Sequence, residues 1–300
     1  VASHHRLCLE QIAVLRYNRR TMLYAAIGHV CQDVVPDGKV LGGTVTYSTL
    51  TARALGWSTA AVTRAGAELD LSLLREVDCV RLADDVTTTF ENVDTASGRV
   101  QFVRAIAGPI RSADIPPHLR RSDVIHVGPI AGEVDADVID LLAGAWIGVT
   151  PQGWMRQWDA SGRVSPRGWD GAEAILRRAD AVVLSIDDVA GDWAQIERWA
   201  ALTRALVVTR NREGCTVYAG AKPTHLAAPP ADEVDATGAG DIFAAAFFTR
   251  LRTSGDLVSA AQFANCLAAR SITRRGLAGI PTSNDIQDCL SQAARRRSAA

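Results

Sequence analysis

The sequence is short of lysine. Lys39 and Lys222 are the only two among 32 basic residues in a chain of 300, so arginine carries nearly all the positive charge. This excludes a Walker P-loop, which needs a lysine after a glycine-rich turn to grip phosphates. Lys39 follows Gly38, but Asp33 stands where the first glycine belongs and Val40 where Ser or Thr belongs, and Lys222 has no such loop. An excess of one charge sign is missing too. The formal net charge is −1, which leaves no basic footprint for nucleic acid or a membrane surface. Long apolar runs are absent. The longest, from Val138 to Val149, is interrupted by Asp140 and is too short to span a bilayer. The stretch from His4 to Arg20 carries both charge signs and has no signal-peptide core. The six cysteines, Cys8, Cys31, Cys79, Cys215, Cys266 and Cys289, include no Cys-x-x-Cys pair, so they read as reduced, mostly buried thiols. These absences predict a cytoplasmic protein with no nucleic-acid and no membrane partner.

What is present is a folding chain. It is 48% hydrophobic and 22% charged, too apolar and too balanced in charge for disorder. Short runs rich in β-branched residues recur at Leu23–Gly28, Ala60–Gly66, Asp123–Gly128, Trp146–Thr150, Ala181–Ser185 and Ala205–Thr209. Helical spacing separates most of them, and from Thr46 to Leu55 it runs up to a stop at Gly56. This rhythm predicts an α/β fold with a doubly wound, mostly parallel sheet covered on both faces. Gly28 is followed by His29 and Val30, so the dinucleotide fingerprint is missing after the first strand. One region breaks the rhythm. Val86–Val93 and Arg99–Val103 alternate around a turn cluster at Asp94–Gly98, which predicts a small β-hairpin with one open face. It reads as a lid, as a flap forming a homodimer, or as a plain edge hairpin. The expected organisation is an N-terminal extension over 1–21, one domain over 22–290 with the lid inserted around 84–106, and a tail over 291–300.

The chemistry concentrates in Asp235-Ala236-Thr237-Gly238-Ala239-Gly240-Asp241, followed by the apolar run Ile242–Phe247. Small residues at a helix start let an anion approach backbone N–H groups that have no intrahelical partner. Asp241 at the same helix start is placed to accept a proton from a hydroxyl attacking phosphorus.

This segment resembles the C-terminal signature of the PfkB, or ribokinase-like, carbohydrate kinases, usually written Asp-Thr-x-Gly-Ala-Gly-Asp. The similarity runs from about Leu23 to Pro281. It implies a ribokinase-like fold and transfer of the γ-phosphate of ATP, with Mg²⁺, to a sugar, nucleoside or polyol hydroxyl. By the resemblance Asp241 is the general base, and the N–H groups of Gly238, Ala239 and Gly240 form the anion hole. Asp235 lies where the family often has a monovalent-cation loop for K⁺, with Ala236 in place of the usual Thr. Gly28-His29-Val30-Cys31-Gln32-Asp33 resembles the loop in which Asp33 holds sugar hydroxyls. Leu41-Gly42-Gly43-Thr44-Val45-Thr46-Tyr47 resembles the N-terminal signature, with Gly42 and Gly43 approaching the substrate and Tyr47 where many members have Asn. The resemblance makes Thr89 and Asn92 lid contacts. Gln152 and Arg156 follow a strand end, where α/β sheets place ligands.

On the nucleotide side, Thr209, Asn211 and Gly214 resemble a Thr-x-Gly-x-x-Gly turn, and Asn211 tolerates the left-handed backbone of the glycine it replaces. Asn265 and Ala268, with Arg274-Arg275-Gly276, resemble the wall of the adenine pocket. Ser185-Ile186-Asp187-Asp188 stands where the family has Asn-x-x-Glu, which leaves Asp188 as the carboxylate for metal. That departure keeps a second reading open, a kinase-fold binding or regulatory protein with little catalysis. Within the kinase reading the acceptor is a sugar, a nucleoside or a cyclitol such as myo-inositol, the last suggested by Asp37-Gly38-Lys39 leading into Gly42-Gly43.

Overall fold

The structure, a computed structural model, describes residues 21–95, 98–220 and 222–298. The N-terminal extension expected over 1–21 therefore lies almost wholly outside the described residues, as does the tip of the lid hairpin at 96–97. In chain order the elements are β1 (Leu23–Ile27), β2 (Cys31–Val35), β3 (Gly38–Gly42), α1 (Thr44–Ala54), β4 (Ser58–Gly66), β5 (Asp78–Asp84), β6 (Thr89–Thr95), β7 (Gly98–Ala105) and β8 (Val124–Val127). There follow α2 (Asp137–Leu141), β9 (Ile147–Val149), β10 (Arg156–Trp158), β11 (Val164–Pro166), α3 (Ala172–Arg178), β12 (Ala181–Ser185), α4 (Trp193–Ala200) and β13 (Leu206–Thr209). Last come β14 (Cys215–Ala219), β15 (Lys222–Leu226), α5 (Ala239–Ser254), α6 (Leu257–Ser271) and α7 (Ser283–Ser298). No helix among the described residues is long and apolar enough to cross a membrane.

The main sheet has nine strands in the order β15-β14-β13-β12-β9-β8-β1-β4-β5. From β13 to β5 every pairing is parallel, and β14 and β15 add an antiparallel edge. Strand alternation divides the core in two. Tyr24, Ala26, Val183 and Val207 face α1, α5 and α6 with Phe243, Phe247 and Phe248. Ala25, Ile27, Val182, Leu184, Leu206 and Val208 face the other layer with Ile139, Ile175, Ile196 and Trp199. Both faces are covered, which is why the strands read as continuous apolar runs.

The lid is larger than a hairpin. It is a four-stranded sheet in the order β3-β2-β6-β7, in which β2 pairs in parallel with β6 and antiparallel with β3. Cys31–Asp33, placed in a loop by the resemblance, belong to strand β2, which pairs with β3 across a turn at Pro36-Asp37. These strands bury little apolar surface, since β3 is exposed over Gly38–Val40, so hydrophobic patterning gave no signal there. The lid has its own small core of Cys31, Phe90 and Val103 against Ile130 and Ala131. Helix α7 runs to Ser298, through the boundary set at 290.

The expectation of six reduced thiols is corrected. Cys266 on α6 and Cys289 on α7 form a disulfide, while Cys31, Cys79 and Cys215 are free. The two bonded cysteines are 23 residues apart on packed helices, a closeness that only tertiary structure creates.

Candidate active site

The carboxyl ends of β9, β12 and β13, the start of α5 and the inner face of the lid surround one cavity of about 500 Å³. Its lining brings together Asp33, Gly43, Tyr47, Asn92, Gln152, Arg156, Asp188, Thr209, Gly238, Gly240 and Asp241. These are residues from seven separate stretches of the chain.

Helix α5 begins at Gly238, whose φ is 77°. A Cβ there would come 2.3 Å from the Tyr47 ring, so glycine is required for both conformation and space. The ring of Tyr47 thus supports the turn from below. Tyr47 also borders the cavity, and burial, with the charges of Asp241 and Asp33 nearby, pushes its phenol up. Ala239 N–H donates to the Ala236 carbonyl at 3.2 Å, so it is committed to the turn and corrects the three-donor anion hole. Gly240 and Asp241 line the cavity in the first helical turn, where the helix dipole favours negative charge.

Asp241 Oδ1 accepts a hydrogen bond from Thr44 Oγ1 at 2.7 Å. Burial pushes its carboxyl up to about 6, offset by that hydrogen bond and by the Arg156 charge, with Asp33 and Asp188 pushing the same way as burial. Thr44 follows the Gly42-Gly43 pair, whose purpose is space. A Cβ on Gly42 would meet Asp33 Oδ2 at 2.2 Å, and one on Gly43 would meet the His29 carbonyl at 2.8 Å. Gly42 therefore makes room for Asp33, which sits on β2 facing the cleft.

Arg156 is the cation of this lining. Its Nη1 donates to the Ile130 carbonyl at 3.1 Å and its guanidinium lies 5.7 Å from the centre of the Phe90 ring. Burial lowers its pKa, and the Asp188 and Asp241 charges raise it. The Ile130 loop is fixed by Glu133, which is 3% exposed. Its carboxylate accepts the N–H groups of His29, Ile130 and Ala131 at 2.8, 3.0 and 2.7 Å.

Asp188 closes a capping box on Ser185 N–H at 2.8 Å and accepts Gln152 Nε2 at 3.2 Å. Burial pushes its carboxyl up. Asp187, also in the lining, accepts Asn211 Nδ2 at 3.0 Å. Among the described residues no group of three or more His, Cys, Asp or Glu side chains forms a metal cage. Asp187 and Asp188 offer carboxylate oxygens of the kind Mg²⁺ takes, with waters filling the rest of its shell. The Asp235 carboxylate accepts Thr237 N–H and Gly276 N–H, both at 2.9 Å, and so ties the α5 turn to the turn after α6.

Four expected contacts stand elsewhere. Thr89 turns away from the cavity, and its hydroxyl donates to the Thr87 carbonyl at 2.9 Å. It has the opposite strand parity to Phe90 and Asn92, so Thr89 and Asn92 cannot both face the cleft. Gly214 packs where a Cβ would meet the Leu226 carbonyl at 2.1 Å. Asn265 is 5% exposed and donates Nδ2 to the Leu226 carbonyl at 3.0 Å. Ala268 packs against the core behind it. Asn211 does adopt positive φ, 49°. Sequence reasoning missed Thr44, Gln101, Thr150 and Asp187. Only Gln101 had an available signal, since it lies opposite Asn92 across the lid hairpin.

Residues 172–283 match the model of the pfkB family carbohydrate kinases. The ribokinase of Bacillus subtilis is 38% identical over 87 residues, covering 29% of this chain and 30% of the relative. The inositol 3-kinase of Zea mays is 28% identical over 199 residues, 63% of this chain and 50% of the relative. The matches thus span about a third to a half of these relatives' lengths. A solved pyrophosphate-dependent kinase in the ribokinase family, complexed with a pyrophosphate analog and myo-inositol, superposes with a TM-score of 0.73 at 22% identity, covering 89% of this chain and 99% of that one. A PfkB-family carbohydrate kinase domain is thus found over residues 172–283, the fold is that of the ribokinase-fold kinases, and the homologues include ribokinase, fructokinase and inositol kinase.

Proposed function

We propose that this chain transfers the γ-phosphate of ATP to a hydroxyl of an uncharged sugar or polyol. The observation that carries this reading is the Asp241 carboxyl, held by Thr44 at the start of α5 in one cavity with Asp33, Asn92, Gln101 and Gln152. The acceptor hydroxyl loses its proton to Asp241 as its oxygen forms the new bond to phosphorus. The bond from γ-phosphorus to the β,γ-bridging oxygen breaks, and ADP leaves with the electron pair. The first-turn N–H groups at Gly240 and Asp241 face the transferring charge. Asp187 and Asp188 are the residues that would hold Mg²⁺, which when bound supplies charge neutralisation on the phosphates. The carboxylate and amide groups suit several hydroxyls, since each binds by accepting or donating in a fixed direction. Four acids against one arginine favour an acceptor without negative charge. The maize inositol kinase and the solved complex with myo-inositol make a cyclitol the first acceptor to test.

A second reading concerns the donor. Asn265 and Gly214 are engaged within the protein, and the cavity lining reaches Thr209 and Asp187 on that side without including either. These features favour a short donor such as pyrophosphate, as in the solved relative. A screen of ATP and pyrophosphate against pentoses, hexoses, nucleosides and inositols separates the two. Turnover with ATP supports the first reading, and turnover with pyrophosphate alone replaces it. Binding of donor and acceptor without turnover would instead identify a kinase-fold binding protein.

A further inference from the structure

On the inner face of the lid two amide side chains hold each other. Asn92 on β6 and Gln101 on β7 stand directly opposite across the ladder, and opposed residues of an antiparallel pair share a face. Both are half-buried and both line the cavity. Gln101 Nε2 donates to Asn92 Oδ1 at 3.1 Å, and neither side chain makes another hydrogen bond among the described residues. The adjoining row on this face, two residues nearer the start of β6, is Phe90 opposite Val103, both packed into the lid core. Asp33 neighbours Phe90 in the parallel ladder and belongs to that row. Two residues along a strand are about 7 Å, a span that a sugar or cyclitol ring with its hydroxyls can bridge.

Donors and acceptors decide what such a pair can read. Each primary amide brings a carbonyl acceptor and an NH₂ donor. The contact between them leaves one amide with a free carbonyl and the other with a free NH₂. Exchanging oxygen and nitrogen in both amides swaps which residue holds which group and leaves the set unchanged. The pair therefore offers an acceptor beside a donor in either orientation. Hydroxyls on neighbouring carbons match it, one donating to the carbonyl and the other accepting from the NH₂. An ether or carbonyl oxygen in place of the first hydroxyl leaves the amide carbonyl unanswered. Ionised Asp33 and Asp241 can only accept, while Thr44 and Gln152 direct donors at Asp241 and Asp188. The amide pair adds a donor to this part of the cavity without adding a charge.

We propose that Asn92 and Gln101 act together as the reader of a vicinal diol, so that the acceptor is a polyol presenting two neighbouring hydroxyls to the lid while another meets Asp241. This deepens the proposed acceptor site and rests on it. Both are specificity residues. Because each amide orients the other, loss of either removes the recognition of both hydroxyls.

Calorimetric titration of the full chain reads acceptor binding without turnover. The probes are myo-inositol and D-ribose, each with its mono-deoxy analogues, and any other alcohol that the screen phosphorylates. For the acceptor that binds, deleting either hydroxyl of one adjacent pair should weaken binding about three- to tenfold, the loss of one neutral hydrogen bond. Asn92→Val and Gln101→Val introduce a residue that strands favour, so the hairpin is kept, and each should erase this discrimination and raise KM for the acceptor. The double variant should do no more than either single one. Asn92→Gln combined with Gln101→Asn rebuilds the free carbonyl and the free NH₂ and should restore the discrimination. A pair that only clips the hairpin would lower the melting temperature of the valine variants and leave the ratio of parent to deoxy affinities as in wild type, which overturns the inference. A wild type that binds every deoxy analogue as tightly as the parent overturns it too. Discrimination that is lost in the valine variants, with no phosphate transfer from ATP or pyrophosphate, upholds the inference and fails the function reading. Turnover of an alcohol whose affinity is indifferent to Asn92 and Gln101 upholds the function reading and overturns the inference. A chain that binds and phosphorylates none of the alcohols overturns both.

Discussion

Replacing Asp241 by asparagine should stabilise the protein while abolishing its proposed chemistry. The carboxyl titrates at about 6 in the folded chain, against roughly 3.9 when unfolded. Between these values the folded state binds the extra proton, so stability falls as pH rises from about 4 to about 6 and is flat above. Two pKa units correspond to about 3 kcal/mol. The side chain borders an open cavity, and water there screens part of that cost, which leaves about 1–3 kcal/mol. Asparagine keeps an oxygen for Thr44 and removes the buried charge. At pH 7 the variant should melt about 2–6 °C higher in a scanning calorimeter. At pH 4, where the wild-type group is already protonated, the difference should vanish. Turnover should fall by at least a hundredfold, as for the loss of a general base. In the wild type kcat/KM should rise tenfold per pH unit below about 6 and level off above it. An asparagine variant less stable than wild type at pH 7 would refute the desolvation argument. A variant with full turnover would refute the base assignment.

Other perturbations test the supports of the site. Glu133→Ala leaves the N–H groups of His29, Ile130 and Ala131 without their acceptor in a buried place, which should cost about 3 kcal/mol or more. A denaturant midpoint equal to wild type would contradict this. Gly238→Ala puts a methyl into the Tyr47 ring at a φ of 77°. It should destabilise by about 2–4 kcal/mol and cut turnover more than tenfold, whereas a wild-type melt and rate would show that the turn has slack. Reducing the Cys266–Cys289 bond should lower stability by about 3 kcal/mol and leave the initial rate unchanged, because α6 and α7 join behind the cavity. Peptide mapping under non-reducing conditions checks the bond itself, and two free thiols there would remove the prediction.

The parallel sheet was legible because strands buried on both faces are apolar at nearly every position, as in Ala181–Ser185 and Leu206–Thr209. The start of α5 was legible because its chemistry is local, with turn, dipole and acid all within seven residues. Features that depend on distant partners were not. Thr44 meets Asp241 across 197 positions, and Thr150 meets His126 through the pairing of β8 with β9. Thr89 and Asn92 are three apart, so strand parity alone excluded one of them, and the structure keeps Asn92. Asn265 has the residue type suited to a base, but its helix turns it toward Leu226. The lid strands β2 and β3 bury too little to leave a pattern.

The scarcity of lysine has a consequence for charge in the cavity. Asp33, Asp187, Asp188 and Asp241 line it with Arg156 as their counter-charge. A bare polyphosphate carries several negative charges and would meet repulsion from Asp187 and Asp188 on the donor side. Backbone N–H groups at the α5 start offset part of this, but each carries only a fraction of a charge. On the proposed reading the donor must therefore arrive already neutralised, as its Mg²⁺ complex, with the two aspartates taking the metal. A P-loop lysine would serve a different design, in which the protein carries the cation permanently. On the proposed reading the acids that repel a free donor are the same groups that admit the metal-bound one, so donor selection and metal dependence would come from one pair of side chains.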